Sequence, residues 1–395
     1  MKKDSRHSQT QSIRTQTDRG EQREHSTPIY FTSSFVFDST EHGRALFANE
    51  MEGNVYSRYS NPTCDEFVEK IRKMEGCEDG ISTSSGMAGV FVSMAGLLEQ
   101  GDHILVSRSL FGSTHQILNG IFPKWGITHT YVDIDEPDKW EDAITSNTRM
   151  IFVETPSNPG LDIIDLEWLG ELAQKHKLIL NVDNCFATPV LQQPARYGAD
   201  LVVHSATKYI DGQGRGVGGV IVGKNRYIEE LRFFARHSGP AMSPFNAWIF
   251  TKSLETLSLR MEKHCNQAAE VSERLRGVKG ITDVKYPFHP DHPQYDLAKK
   301  QMSAGGGIFS IKMEGGYQQA EKVIDSLQMI SRSPNLGDSR TIATHPASTT
   351  HSKLTEEERL KVGITPGLIR FSVGFEHPGD ITEDIIQAVE KASIG

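Results

Sequence analysis

Short, almost unbroken apolar runs recur along this chain, spaced so that one helix fits between each pair: "HILVS" (103–107), "MIFVET" (150–155) and "LILNVD" (178–183). A strand with no polar face must be covered on both sides. Strand, helix, strand in that order gives a mostly parallel sheet with helices on both faces, an α/β fold. The pattern starts after Tyr56 and continues to "VGGVIVG" (217–223). Beyond Ser243 the texture changes to one long helical stretch, "FNAWIFTKSLETLSLRMEKHCNQAAEVSERL", and then to the alternating "GGGIFSIKM" (305–313). A second, α+β domain is therefore expected to begin near Ser253.

Length and composition remove several classes of function. A chain of 395 residues can bury a large core in two or three domains. Its formal charge of -9 offers no basic field, which argues against nucleic acid. Cys64, Cys77, Cys185 and Cys265 are far apart with no CxxC pair, so neither a disulfide framework nor a zinc site is indicated, and a reducing cytoplasm fits. The opening "MKKDSRHSQTQSIRTQTDRG" lacks an apolar segment; it is no secretory signal and reads as a mobile arm. The uncharged stretch from Gly80 to Leu98 is interrupted by Ser82, Thr83, Ser84, Ser85 and Gly86, and reads as strand, polar turn and buried helix instead of a membrane span.

Three motifs have plain explanations. Gly214, Gly216 and Gly219 satisfy GxGxxG but precede a strand, so the dinucleotide context is missing. "HPDHP" (289–293) reads as a turn whose histidines lack a third ligand, so no metal is expected. "EEER" (356–359) reads as a solvated helix face.

The chemistry gathers where strands end, the edge at which open α/β sheets bind ligands. "STSSGMAG" (82–89) follows a strand and opens a helix, so the amides of Gly86 and Met87, with the Ser85 hydroxyl, suit an anion; an ordinary N-cap would explain the serine equally well. "LILNVDN" carries Asp183 to the same edge, where it is either a helix cap or the partner of a cationic ring nitrogen. "HSATKYIDG" (204–212) then places Ser205, Thr207 and the amine of Lys208 just past another strand. A phosphate cradle, an acid for a ring nitrogen and a lysine that can condense with an aldehyde are the parts pyridoxal 5'-phosphate requires. Phe111, in "SRSLFGSTH", is placed to lie on a ring face or simply in the core.

At this point the sequence resembles the Cys/Met-metabolism, or trans-sulfuration, family of pyridoxal-phosphate enzymes. The likeness rests on "HSATKYIDG" together with "PIYFTSSFVF" (28–37), "YSRYSNPT" (56–63), "SSGMAG", "ETPSNP" (154–159), "VDN" (182–184), "SPFNAW" (243–248) and "IRFSVGFE" (369–376), in order across nearly the whole chain. The resemblance implies fold type I, aspartate aminotransferase-like, with a smaller C-terminal domain. It implies an N-terminal arm with oligomer contacts over 1–52, a cofactor-binding α/β domain over 53–250 and a C-terminal α+β domain over 251–395. Lys208 would be the Schiff-base lysine and proton shuttle, Asp183 the pyridinium partner, and Ser85, Gly86, Met87, Ser205 and Thr207 the phosphate site. Asn158 would sit near the ring oxygen, and Arg370 with Asn335 would bind the substrate carboxylate. Tyr56 and Arg58 would reach the cofactor phosphate of a neighbouring subunit, so that the site is shared across a dimer, within a homotetramer.

Many members carry tyrosine where this chain has Phe111, which keeps stacking on the ring but loses a hydroxyl that assists proton transfer. With "SPFNAW" and "NLGDSRTIATHPASTTH" (335–351), this most resembles the O-succinylhomoserine sulfhydrylase branch, in which sulfide displaces succinate. Cystathionine γ-synthase, O-acetylhomoserine sulfhydrylase and methionine γ-lyase share the cofactor site and stay open as alternatives. A catalytically silent scaffold would be expected to have lost Lys208, Asp183 or Ser85, all of which are present.

Overall fold

The computed structural model describes residues 6–352 and 354–394. Seven strands form one sheet: β1 (Asp79–Thr83), β2 (His103–Ser107), β3 (Thr128–Val132), β4 (Thr148–Glu154), β5 (Ile179–Asp183), β6 (Leu201–Ser205) and β7 (Gly219–Gly223). Their spatial order is β1-β7-β6-β5-β4-β2-β3. Strands β2 to β6 pair in parallel, whereas β7 runs antiparallel to both β6 and β1. Successive side chains explain why these runs carry no polar face: Met150 and Phe152 of β4 enter one core, and Ile151 and Val153 enter the core on the other side.

A second sheet contains β8 (Ile281–Lys285), β9 (Ile308–Met313), β10 (Ser331–Arg332), β11 (Ile342–Thr344) and β12 (Leu368–Ser372), in the order β10-β11-β12-β9-β8. Helices Leu257–Leu275, Gly316–Ser326 and Pro378–Ile394 contribute to its covering. Its core is anchored by Phe309 and Phe371, stacked at 5.1 Å between ring centroids.

Two expectations change. The long helical stretch is two helices, Pro244–Leu254 and Leu257–Leu275. At the break the Ser253 carbonyl accepts the Thr256 amide and hydroxyl, both at 3.2 Å, and Arg260 Nη2 at 3.0 Å. The opening segment, expected as a mobile arm, holds helix Ser8–Arg14 packed on helix Pro62–Glu75. The cause is polar: buried Lys70 donates to the Ser12 carbonyl at 2.7 Å, and Glu66 accepts from the Thr17 amide at 2.7 Å and the Thr27 hydroxyl at 2.8 Å. Residues 1–5 of that segment lie outside the described residues.

The uncharged stretch is β1, a turn and helix Gly86–Ala95, and no described helix is long and apolar enough to cross a membrane. His289 and His292 of "HPDHP" are buried, the first bonded to the Ser272 hydroxyl at 3.0 Å and the second to the Leu161 carbonyl at 3.1 Å. Among the described residues no group of three His, Cys, Asp or Glu is disposed to hold a metal ion.

Because Phe309 is fully buried in the second sheet, Phe309→Ala is expected to cost about 3–5 kcal/mol in transfer and cavity terms. Urea denaturation followed by far-ultraviolet dichroism measures it.

Candidate active site

Three parallel strands deliver their last residues to one place. Glu154 ends β4, Asp183 ends β5 and Ser205 ends β6, and all three line a cavity of about 430 Å³. The rest of the lining includes the start of helix Gly86–Ala95, Phe111 after β2, and Pro334, Asn335, Leu336 and Thr350 of the second sheet's loops. Of the residues singled out from sequence, Ser85, Gly86, Met87, Phe111, Asn158, Asp183, Ser205, Thr207, Lys208 and Asn335 line this cavity.

Lys208 lies in a tight turn, 206–210, directly after β6, with φ -91° and ψ -130°, outside the helical range of its neighbours. Its Nζ donates to Asn335 Oδ1 at 2.8 Å. Burial pushes this amine below the ordinary lysine value, the neighbouring Cys185 thiol opposes that and Arg370 adds to it. An amine that sheds its proton easily is a nucleophile and a base.

Asp183 is pushed up to about 6 by burial, against the Cys185 amide that donates to it at 3.0 Å and the nearby His204. Behind it His204 and Glu75, both buried, meet at 2.6 Å. A carboxylate so desolvated is stabilised by a cation placed against it, by roughly 4 kcal/mol at an intermediate dielectric.

The helix entrance fits a phosphate closely. Ser85 is the N-cap, its hydroxyl oxygen accepting the Ala88 amide at 3.0 Å. This satisfies the ordinary reading of that serine and leaves the first-turn amides without intrahelical acceptors. A Cβ on Gly86 would stand 2.5 Å from Ser205 Cβ, and one on Gly219 would stand 2.3 Å from the Ser85 carbonyl oxygen. The helix start, β6 and β7 therefore close on one another to a distance only glycines permit.

Arg370, on β12, does not itself line the cavity but sits directly behind two residues that do. Its Nη1 donates to Asn158 Oδ1 at 2.9 Å, and its Nη2 to the carbonyls of Asn335 at 2.9 Å and Pro334 at 3.2 Å. Burial pushes the guanidinium down to about 10, and its Nε has no partner. A buried donor left open is what an incoming carboxylate would satisfy.

Tyr56 and Arg58 are elsewhere. Both are exposed, and Arg58 lines a separate cavity of about 510 Å³ with Asp65, Arg232 and Arg236. The sequence reading assigned no role to Glu154, Cys185, Phe186 or Thr350, which also line the active-site cavity. Glu154 was findable: "ETPSNP" ends a strand in an acid just as "VDN" does.

The groups facing this cavity call for an anion at the helix start and a cationic ring over Asp183, joined within reach of an amine. Pyridoxal 5'-phosphate has that shape and charge, so fold and site define an enzyme of fold type I that depends on it. Residues 9–390 match the family described as Cys/Met metabolism PLP-dependent enzyme, and the chain belongs to that family. It is 44% identical over 380 residues to the O-succinylhomoserine sulfhydrylase of Pseudomonas aeruginosa, covering 96% of this chain and 94% of that one. That of Mycobacterium tuberculosis is 43% identical over 366 residues (91% and 90%). The L-methionine gamma-lyase of Porphyromonas gingivalis is 40% identical over 363 residues (91% of each). A solved chain from Campylobacter jejuni, containing N'-pyridoxyl-lysine-5'-monophosphate, superposes with a TM-score of 0.94 at 33% identity, over 98% of this chain and 100% of that one. The family chemistry is elimination or replacement at the γ-carbon of a small amino acid in Cys/Met metabolism.

Gly86→Ala forces the helix start away from Ser205, and the Kd for pyridoxal 5'-phosphate is expected to rise about tenfold or more through loss of helix-terminus contacts. Titration of the apoprotein, followed by cofactor absorbance, checks it.

Proposed function

We propose that this enzyme carries out γ-replacement on O-succinylhomoserine, sulfide displacing succinate to give homocysteine, as a step of methionine biosynthesis. The observation that carries the reading is the residue at 111: it is phenylalanine, and among the described residues of this chain no tyrosine lines the cavity. A carboxylate departs without a proton, since its acid titrates near 4, whereas a thiolate, whose acid titrates near 8.5, leaves more readily when a hydroxyl protonates it. Phe111 suits an acyloxy leaving group over a methylthio one. The two O-succinylhomoserine sulfhydrylase relatives support the same choice.

Bound pyridoxal 5'-phosphate supplies an electron sink that acidifies hydrogens on the substrate carbons. The chain's own residues do the rest. Ser85, Gly86, Met87, Ser205 and Thr207 would hold its phosphate, Asp183 would keep its ring nitrogen cationic and Asn158 would bind its ring oxygen. Arg370, with Asn335, binds the α-carboxylate through its planar fork. Lys208 Nζ removes the proton from the substrate Cα and returns one after sulfide has added. Val90, Phe186 and Leu336, which line the same cavity, help keep water from competing with sulfide.

Tyr56 and Arg58 are assigned to the cofactor phosphate of a neighbouring subunit, in a homotetramer acting in the cytoplasm. Support comes from the exposure of both, and of Phe31 and Val36 in the same segment, at 76% and 96%. The division into 1–52, 53–250 and 251–395 follows the same reading, with β1 to β7 in the second part and β8 to β12 in the third.

Purified enzyme given O-succinyl- or O-acetylhomoserine with sulfide or cysteine is expected to form homocysteine fastest from the succinyl ester and sulfide; rapid product only with cysteine would overturn the assignment. Phe111→Tyr is expected to raise methionine elimination about a hundredfold, the lower end of what one positioned acid contributes. Arg58→Ala is expected to weaken cofactor retention through loss of a charged phosphate contact, read by dialysis; unchanged retention would count against the shared site.

A further inference from the structure

Glu154 closes β4 at the cavity wall, and none of the steps above uses it. Its carboxyl group is nevertheless a junction. Oε2 accepts the backbone N–H of Phe111 at 2.8 Å, and the backbone N–H of Asn158 lies near enough to favour the charged form of the same carboxyl. Asn158 Oδ1 in turn accepts Arg370 Nη1 at 2.9 Å. Phe111 stands in the loop after β2, Asn158 in the loop after β4 and Arg370 on β12. The Glu154 carboxyl is therefore bonded to the loop after β2 and lies beside the residue that holds Arg370 of β12.

A carboxyl is an expensive choice for a merely structural tie. Glu154 is 7% exposed, and across the β4–β5 register its direct partner is Asp183. Two carboxylates on adjoining strand ends cannot both ionise cheaply. Burial, and then the charge of Asp183, raise the Glu154 acid well above the ordinary carboxyl value, opposed by the Phe111 and Asn158 amides and by Arg370. Of the pair, Asp183 faces His204 and is the one held ionised, which leaves Glu154 as the protonated member.

We propose that Glu154 is a positioning residue for the reaction: its carboxyl group fixes Phe111 and Asn158 at the cofactor ring and, through Asn158, aims the Arg370 guanidinium at the substrate. The proposal rests on the roles given above to Phe111, Asn158 and Arg370, and is independent of which γ-substituent is exchanged. If the substrate assays pointed to another γ-substituent, the sulfhydrylase reading would fail while the comparison below stood unchanged.

The test uses the holoenzyme and two readouts, steady-state kinetics and the visible circular dichroism of the bound cofactor, which reports how firmly the ring is held in its asymmetric surroundings. Glu154→Gln keeps a neutral planar group with a carbonyl acceptor, and is expected to retain the dichroic band and a kcat within about threefold of the parent. Glu154→Ala is expected to keep the cofactor's absorbance but lose most of that band, with kcat down about tenfold or more and KM raised. Adding Phe111→Ala to Glu154→Ala is expected to cost less than the sum of the two single effects, because both remove the same constraint. An alanine variant with the parent's dichroism and kcat, a glutamine variant as impaired as alanine, or strictly additive double-variant losses would each overturn the proposal. Where Glu154→Ala does not fold by far-ultraviolet dichroism, Glu154→Met fills the volume without accepting a hydrogen bond and carries the same expectation.

Discussion

A guanidinium that water cannot reach has to be satisfied by the protein, and the site depends on how Arg370 is satisfied. It rises from the second sheet, yet one of its bonds goes to Asn158 at the edge of the first, and the others go to carbonyls of the loop between β10 and β11. That loop also supplies Asn335, whose amide oxygen takes the Lys208 amine. Docking of the two sheets and assembly of the catalytic groups are thus one event. A charge of this kind adds little net stability, since its desolvation offsets most of the gain, but it strongly disfavours any arrangement in which its partners are absent.

The cavity's electrostatics follow from sheet geometry. Parallel strands β4 and β5 must end side by side, and each ends in an acid, so Glu154 and Asp183 face the same small space. The resulting repulsion is resolved asymmetrically. Asp183 has an amide donor and His204 behind it, whereas Glu154 is held by the Phe111 amide, which binds a carboxyl in either protonation state. Lys208, desolvated beside them, bonds to a neutral amide and to neither acid. An amine left outside an ion pair is one that can react.

Much of this was legible in the sequence because it depends on strand ends. Asp183, Ser205 and Lys208 follow apolar runs whose length fixes where the sheet stops, and the glycines near Ser85 mark a close approach. Glu154 carried the same signal, but "ETPSNP" drew notice only as a landmark. The antiparallel direction of β7 was not legible, since a run such as "GGVIV" has the same pattern in either direction. Nor was the break between the helices ending at Leu254 and starting at Leu257, where Thr256 and Arg260 both donate to the Ser253 carbonyl. Tyr56 and Arg58 are a different case: family likeness alone assigned them, and a single chain leaves them on its surface.

The first described helix lacks an apolar pattern of its own and is held by polar contacts, and this couples the chain's tail to its chemistry over a long lever. Ser12 accepts the ammonium of Lys70, a residue with no exposed surface, and Lys70 belongs to the helix whose last residue is Glu75. Glu75 braces His204, and four residues after His204 comes Lys208. A protease nick among the opening twenty residues would leave the dry Lys70 cation with Glu255 alone at 3.5 Å, slacken that helix and unsettle the brace, so that damage to the most dispensable-looking part of the molecule would register as a loosened grip on its vitamin.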